Sequence, residues 1–152
     1  MDTFLTVVVT WLTMNFGLPA IYEHPDVKLI GQNEMIELRV SALDNEDAAK
    51  FRNTVEHGHS VVAFYDDKSR TIYLPSNWSA TSPADVSVLV HEMVHHLQNV
   101  GNIPQECKEG REQPAYQAQA QWLKLVGTTL EKEFELDAMT LHFLTRCWHG
   151  PP

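Results

Sequence analysis

Two cysteines, Cys107 and Cys147, are all this 152-residue chain contains. Two are too few for a disulfide framework, and spacing alone cannot say whether they pair. A bridge would tie the loop before Glu112 to the last helix; two idle thiols fit the spacing equally well. Positive charge is also scarce. Lys and Arg total 11 against 20 Asp and Glu, a net charge of −9. That balance argues against a nucleic-acid backbone as partner, which requires a basic face. No hydrophobic run approaches the roughly 20 apolar residues of a membrane span. Repeats, low-complexity tracts and an obvious linker are missing too. With 43% hydrophobic and 20% charged residues, the chain has the composition of one globular domain with one sizeable core.

The apolar N-terminal stretch from Phe4 to Met14 has only Asp2 ahead of it. Lacking a basic flank, it does not read as an export signal. Thr3, Thr6, Thr10 and Thr13 form one polar stripe at helical spacing, so a buried first helix is expected, stopped near Gly17 and Pro19. Localisation stays open, an exported precursor included.

Further along, Val27 to Ile30 reads as a short strand. Asn33 to Val40 and Asp44 to Glu56 read as helices. Ser60 to Tyr65 and Arg70 to Leu74 are β-branched and aromatic runs on either side of a turn at 66–69, hence a hairpin. Ser82, Pro83 and Asp85 open a helix that runs to Val100 and Gly101. Ala115 to Val126 suits another helix. Thr128 with Glu131 opens a last one, striped by Leu130, Phe134, Leu141, Leu144 and Trp148. The expected fold is α+β: mostly helical, with a small antiparallel sheet beside the motif helix. Within a single domain of residues 1–152, three parts are expected: 1–59 helical, 60–126 the hairpin and metal-site helices, and 127–152 the C-terminal helix.

The chemistry sits in His91-Glu92-Met93-Val94-His95. Two histidines four apart on a helix share one face and can grip one ion. Glu92 stands beside the first of them, where a carboxylate can take the proton of a metal-bound water. The bare motif is only moderately specific; its position inside a well-delimited helix strengthens it. A catalytic zinc site usually needs a third protein ligand. The metzincin extension would require Gly at 98 and His or Asp at 101, but the chain has Gln98 and Gly101. The third ligand is therefore sought among Glu106, Glu109 and Glu112. Glu112, in an expected first turn before Ala115, is best placed; Glu109 is expected in a loop.

The motif, then sixteen residues, then Glu112-Gln113-Pro114-Ala115 resembles the gluzincin branch of the zincin metallopeptidases, most of all the single-domain minigluzincins. The resemblance covers roughly residues 60–126. It implies one zinc ion on His91, His95 and Glu112, and a zinc-dependent hydrolase in which water activated by Glu92 attacks a peptide carbonyl. It also implies a peptide or protein substrate held along a free edge strand at Thr71 to Pro75.

The chain departs from the larger gluzincins in two ways. Tyr116 replaces a carboxylate one turn after the third ligand, so a second-layer carboxylate must come from elsewhere; Asp137 is the guess. The oxyanion donor is also unassigned, with His142 and Tyr116 favoured over His149 and Tyr73.

Several residues are given milder roles. His96 is expected to be solvated or behind the ligands. His57 and His59 are expected to be bland loop residues, and Trp78, Trp122 and Trp148 core anchors. Cys107 as a fourth, silencing ligand is disfavoured. Asn77-Trp78-Ser79 fits a glycosylation acceptor only if the chain is exported. Against the enzyme stand two alternatives: a zinc-stabilised module that binds a peptide or protein without cutting it, and a metal-free helical interaction domain.

Overall fold

The computed structural model describes residues 1–56 and 62–148. Seven helices and three strands lie among them. They fall into two compact units: residues 1–24 with the chain from 80 onward, and residues 25–79. The fold is a mostly helical α+β fold, as expected.

The first unit holds α1 (Asp2–Phe16), α4 (Pro83–Val100), α5 (Lys108–Leu125), α6 (Leu130–Phe134) and α7 (Ala138–Thr145). On α1, Leu5, Val8, Val9 and Leu12 are buried, and the helix ends at Gly17 in the left-handed region, φ +65°. The threonine stripe works as a seam. Thr6 Oγ1 lies 2.8 Å from His24 Nε2, and Thr10 Oγ1 lies 3.1 Å from the Tyr22 hydroxyl. These pairs hold the returning segment against the helix.

α4 is the centre of this unit. Ser82 caps it by accepting from the Asp85 amide, Pro83 occupies the first turn, and every residue from Val86 to Gln98 is buried. A helix enclosed on all sides is a core helix. Leu89, Val90, Met93, Val94 and Leu97 are fully enclosed, each stabilising the fold by about 1.5–3 kcal/mol through burial. His96, expected to be solvated or behind the ligands, is 1% exposed, with Nε2 2.9 Å from the Glu23 carbonyl. It pins the segment before the second unit to α4.

Two helix boundaries differ from expectation. α5 starts at Lys108, not Ala115, so Pro114 lies inside the helix. An internal proline costs about 3 kcal/mol, through a lost hydrogen bond and a crowded carbonyl, which is why Pro114 reads as a first-turn residue in sequence. What holds the earlier turns is tertiary: Cys107 caps them and is bridged to Cys147. The expected last helix is two helices. Glu135 adopts a left-handed φ of 56° and ends α6; Asp137 then caps α7, accepting from the Thr140 amide at 2.7 Å. The cap of α6 is Thr129, one residue after the expected Thr128. α7 buries no residue, and Trp148 is 77% exposed, so it is no core anchor. Trp122 does pack, edge-on to Trp11 at 5.1 Å and to Phe4 at 6.3 Å.

The second unit holds β1 (Asp26–Ile30), α2 (Gln32–Ser41), α3 (Asn45–Glu56), β2 (Phe64–Asp66) and β3 (Thr71–Pro75). Its sheet has the order β1-β3-β2, with β1 parallel and β2 antiparallel to β3. It is therefore mixed, not antiparallel. The expected free edge at Thr71 to Pro75 is the central strand, paired on both sides. The reason is β1, whose Asp26 to Ile30 takes the register Thr71 to Pro75 and fills that edge. Ile30, Met35 and Phe64 form the buried cluster, with Leu38 and Tyr73 packed against it. Tyr73 stacks on Phe64 at 4.9 Å.

Candidate metal centre

α4 places His91 and His95 one turn apart, with ring centroids 5.0 Å from each other. α5 packs beside α4 and brings Glu112 to them. The start of α5 is anchored by its cap: Cys107 Sγ accepts the Gly110 amide at 3.1 Å. A Cβ on residue 110 would sit 3.1 Å from Cys147 Sγ. Glycine there leaves room for the bridge to lie on the first turn, ahead of Glu112.

The three ligand atoms converge. Glu112 Oε2 is 3.0 Å from His91 Nε2 and 3.3 Å from His95 Nε2, and the two nitrogens are 3.2 Å apart. Zinc held at about 2.0–2.1 Å by tetrahedral ligands has ligand–ligand edges of about 3.3–3.4 Å. The triangle is thus nearly one face of that tetrahedron, and His91, His95 and Glu112 are close enough to hold a metal ion.

Hydrogen bonding behind the ligands settles which way the imidazoles are loaded. The Arg111 carbonyl can only accept, so the Gln98 amide nitrogen, 3.0 Å away, must face it. Gln98 Oε1 then faces His95 Nδ1 at 2.9 Å and accepts from it. On the other side, Ser87 Oγ donates to the Ala84 carbonyl and receives the Gln119 amide nitrogen at 3.2 Å. Gln119 Oε1 is thereby turned to His91 Nδ1, at 3.0 Å. In both neutral imidazoles the proton sits on Nδ1 and the Nε2 lone pair points at Glu112. Two lone pairs and a carboxylate oxygen within 3.3 Å repel one another unless a cation or a proton lies among them.

Electrostatics agree. Burial by itself would raise the Glu112 pKa, but the hydrogen-bonding contacts and charge of His91 and His95 hold it well below the usual carboxylate range. Burial would lower that of His95, but the hydrogen bond and charge of Glu112, helped by Glu92 and Gln98, raise it. Tyr116 lies edge-on to His91, centroids 4.6 Å apart. Burial, with the charges of Glu112 and Glu92, pushes its phenol up to about 12. Glu92 is 7% exposed. Its charge bears on both His95 and Tyr116.

The other expected residues lie elsewhere. Glu109 is in the first turn of α5, not in a loop, and like Glu106 it is not in the cluster. Cys107 is in a disulfide, so it offers no thiolate. Asp137, the guessed carboxylate behind the ligands, caps α7 instead. His142 is exposed on α7, its Nε2 3.4 Å from an Arg146 guanidinium nitrogen. His57, His59 and His149 fall outside the described residues. Sequence reasoning missed Gln98, Gln119, Ser87 and Arg111. Gln98 had a signal, three residues after His95 on a buried helix. Gln119, two turns after Glu112, had one only once α4 and α5 were known to be neighbours.

Fold and site together define a helical α+β protein in which His91 and His95 of one long helix and Glu112 of another lie close enough to hold a metal ion. The chain belongs to the family described as Domain of unknown function (DUF6647), whose profile matches residues 1–149 and so takes in all the residues of this centre. No curated protein and no solved structure matches it.

Proposed function

We propose that this chain is a zinc-dependent hydrolase that cleaves peptide bonds. The observation that carries the reading is the convergence of two Nε2 lone pairs and a carboxylate oxygen, with both tautomers fixed from behind. Two imidazoles and one carboxylate favour zinc over calcium or magnesium, which take oxygen ligands. The peptide substrate rests on the likeness of His91, Glu92, His95 and Glu112 to the gluzincin pattern. A zinc ion in such a site supplies Lewis acidity toward a carbonyl and makes water more acidic.

The chain's own residues do the rest. His91, His95 and Glu112 would hold the ion. Glu92, buried and next to His91 in the chain, accepts the proton of the attacking water and returns it to the leaving amine. Tyr116 stays protonated across the working range because its phenol is pushed so high. It is the donor for the developing oxyanion. β3 takes no part in holding substrate, being paired on both sides. The Cys107–Cys147 bridge supports work in an oxidising compartment.

The second reading is a zinc-stabilised binding module without turnover. It is favoured by one observation: neither His142 nor the strand Thr71–Pro75 stands where a gluzincin would need it. Metal analysis of protein purified without a His-tag separates the readings, together with a peptide-library assay of wild type and Glu92→Gln. The hydrolase predicts one equivalent of zinc in both proteins and a loss of turnover of about 10²–10⁴-fold in Glu92→Gln. Equal turnover in the two proteins overturns the role of Glu92. Zinc without cleavage of any peptide selects the binding module, and no metal at all sinks both.

A further inference from the structure

We infer that Gln98 and Arg111 act as one clasp that sets the separation between His95 and Glu112, and that they are the positioning residues of the metal centre. The inference rests on the metal reading above. Arg111 directly precedes Glu112. Neighbours on a helix point about 100° apart, so Glu112 can face the cluster while Arg111 lies along the flank of α4.

Three hydrogen bonds close the clasp. One guanidinium nitrogen of Arg111 donates to the His95 carbonyl at 3.2 Å. Its Nε donates to Gln98 Oε1 at 3.2 Å. In return the Gln98 amide donates to the Arg111 carbonyl at 3.0 Å. Gln98 Oε1 also receives His95 Nδ1 at 2.9 Å. One amide oxygen therefore fixes the tautomer of one ligand and grips the residue that carries the next.

Two features argue that this is more than packing. Gln98 is 3% exposed, and a buried amide is costly unless fully bonded. Here both of its ends are spent on the backbone and side chains that bear ligands. The fork geometry is also specific to arginine, because a lysine ammonium is a point donor that cannot serve a carbonyl and an amide at fixed angles. His91 has its own support in Gln119 and Ser87, on the other side of the site. The clasp therefore governs the His95–Glu112 edge alone.

The test is a zinc titration of the full chain against a competing chelator, with metal-free melting temperatures measured in parallel. Gln98→Leu and Arg111→Lys should each weaken zinc binding about 10–100-fold. Gln98→Glu keeps an acceptor for both His95 and Arg111 but loses the donor to the Arg111 carbonyl, so its zinc affinity should fall between those of wild type and Gln98→Leu. The double variant Gln98→Leu/Arg111→Lys should be little weaker than the worse single one, because one clasp can be broken only once. Leu12→Ala, a core change on α1, is the control for general destabilisation. The inference is overturned if the clasp variants bind zinc as tightly as wild type. It is also overturned if their loss only matches that of Leu12→Ala at equal loss of metal-free stability. Should Gln98→Leu fail to fold, Arg111→Lys and Gln98→Glu decide alone. Wild type that takes up no zinc refutes the metal reading itself, a different result from zinc-binding wild type with unaffected variants.

Discussion

α4 and α7 both carry a histidine that the sequence marks as functional, and they could hardly be more different. Around His91 and His95, α4 is buried from Val86 to Gln98. Around His142, α7 buries nothing. In α4 every polar group has to be accounted for, because an unpaired one costs about 1–3 kcal/mol. Both Nδ1 atoms are accounted for by glutamine amides, so the aim of both Nε2 atoms carries information. His142 sits in water beside Arg146, and its presence constrains nothing. An apolar stripe separates the helices less well than expected. Met139 and Phe143 on α7 are 71% and 67% exposed, although their residue types would suit a core.

The sharpest way to break this comparison is to cut what ties α7 in place. The Cys107–Cys147 bridge spans 40 residues, and closing a loop of that length contributes about 4 kcal/mol in the chain-entropy account. Cys147→Ser should therefore lower unfolding stability by about 2–5 kcal/mol in urea melts. A loss below about 1 kcal/mol would mean that α5 and α7 do not depend on the bridge.

Next come the paired truncations. Leu97→Ala on α4 should cost about 2–5 kcal/mol, whereas Phe143→Ala on α7 should stay within about 0.5 kcal/mol. Similar losses in both would show that α7 is covered by something in solution.

A smaller and reversible effect is expected from pH. The His95 pKa is raised above its usual 6.5, and that of Glu112 is depressed below its usual 4.5. In metal-free protein, the His95 contribution is complete below pH 6.5 and fades as pH rises through its raised value. The Glu112 contribution is complete above pH 4.5 and fades as pH falls through its depressed one. This pair therefore stabilises metal-free protein most between pH 4.5 and 6.5, and the gain is lost progressively from pH 6.5 up to the raised value of His95. Metal needs the neutral imidazole. Below that raised value, zinc affinity should fall about tenfold per pH unit, so the melting gain from zinc should grow toward alkaline pH. A gain that is flat from pH 5 to 8 would contradict His95 as a ligand. The smallest effect of all is expected from His142→Ala, with zinc affinity unchanged in the same titration; a tenfold loss would bring α7 into the site.

Much was legible from local chemistry. The start of α4 was visible because Ser82, Pro83 and Asp85 perform capping within four residues of chain. The ligand pair was visible because helical spacing alone puts His91 and His95 on one face. Glu112 could be favoured but not chosen outright, since its competitors Glu106 and Glu109 differ from it only in three-dimensional placement. The start of α5 was hidden by Pro114, whose local preference is overridden by a bridge to a residue 40 positions away. The free edge expected at Thr71 to Pro75 was lost to β1, a pairing between segments 45 residues apart in register.

What the residues determined unaided is therefore everything that acts over one or two turns: caps, helix faces, the spacing of two imidazoles and the acid between them. Tertiary structure alone decided which glutamate meets them, which strand is central, and which amides stand behind the ligands. Those outcomes depend on groups far apart in the chain arriving at hydrogen-bonding distance. No local preference encodes that distance; the packing of α4 against α5 does.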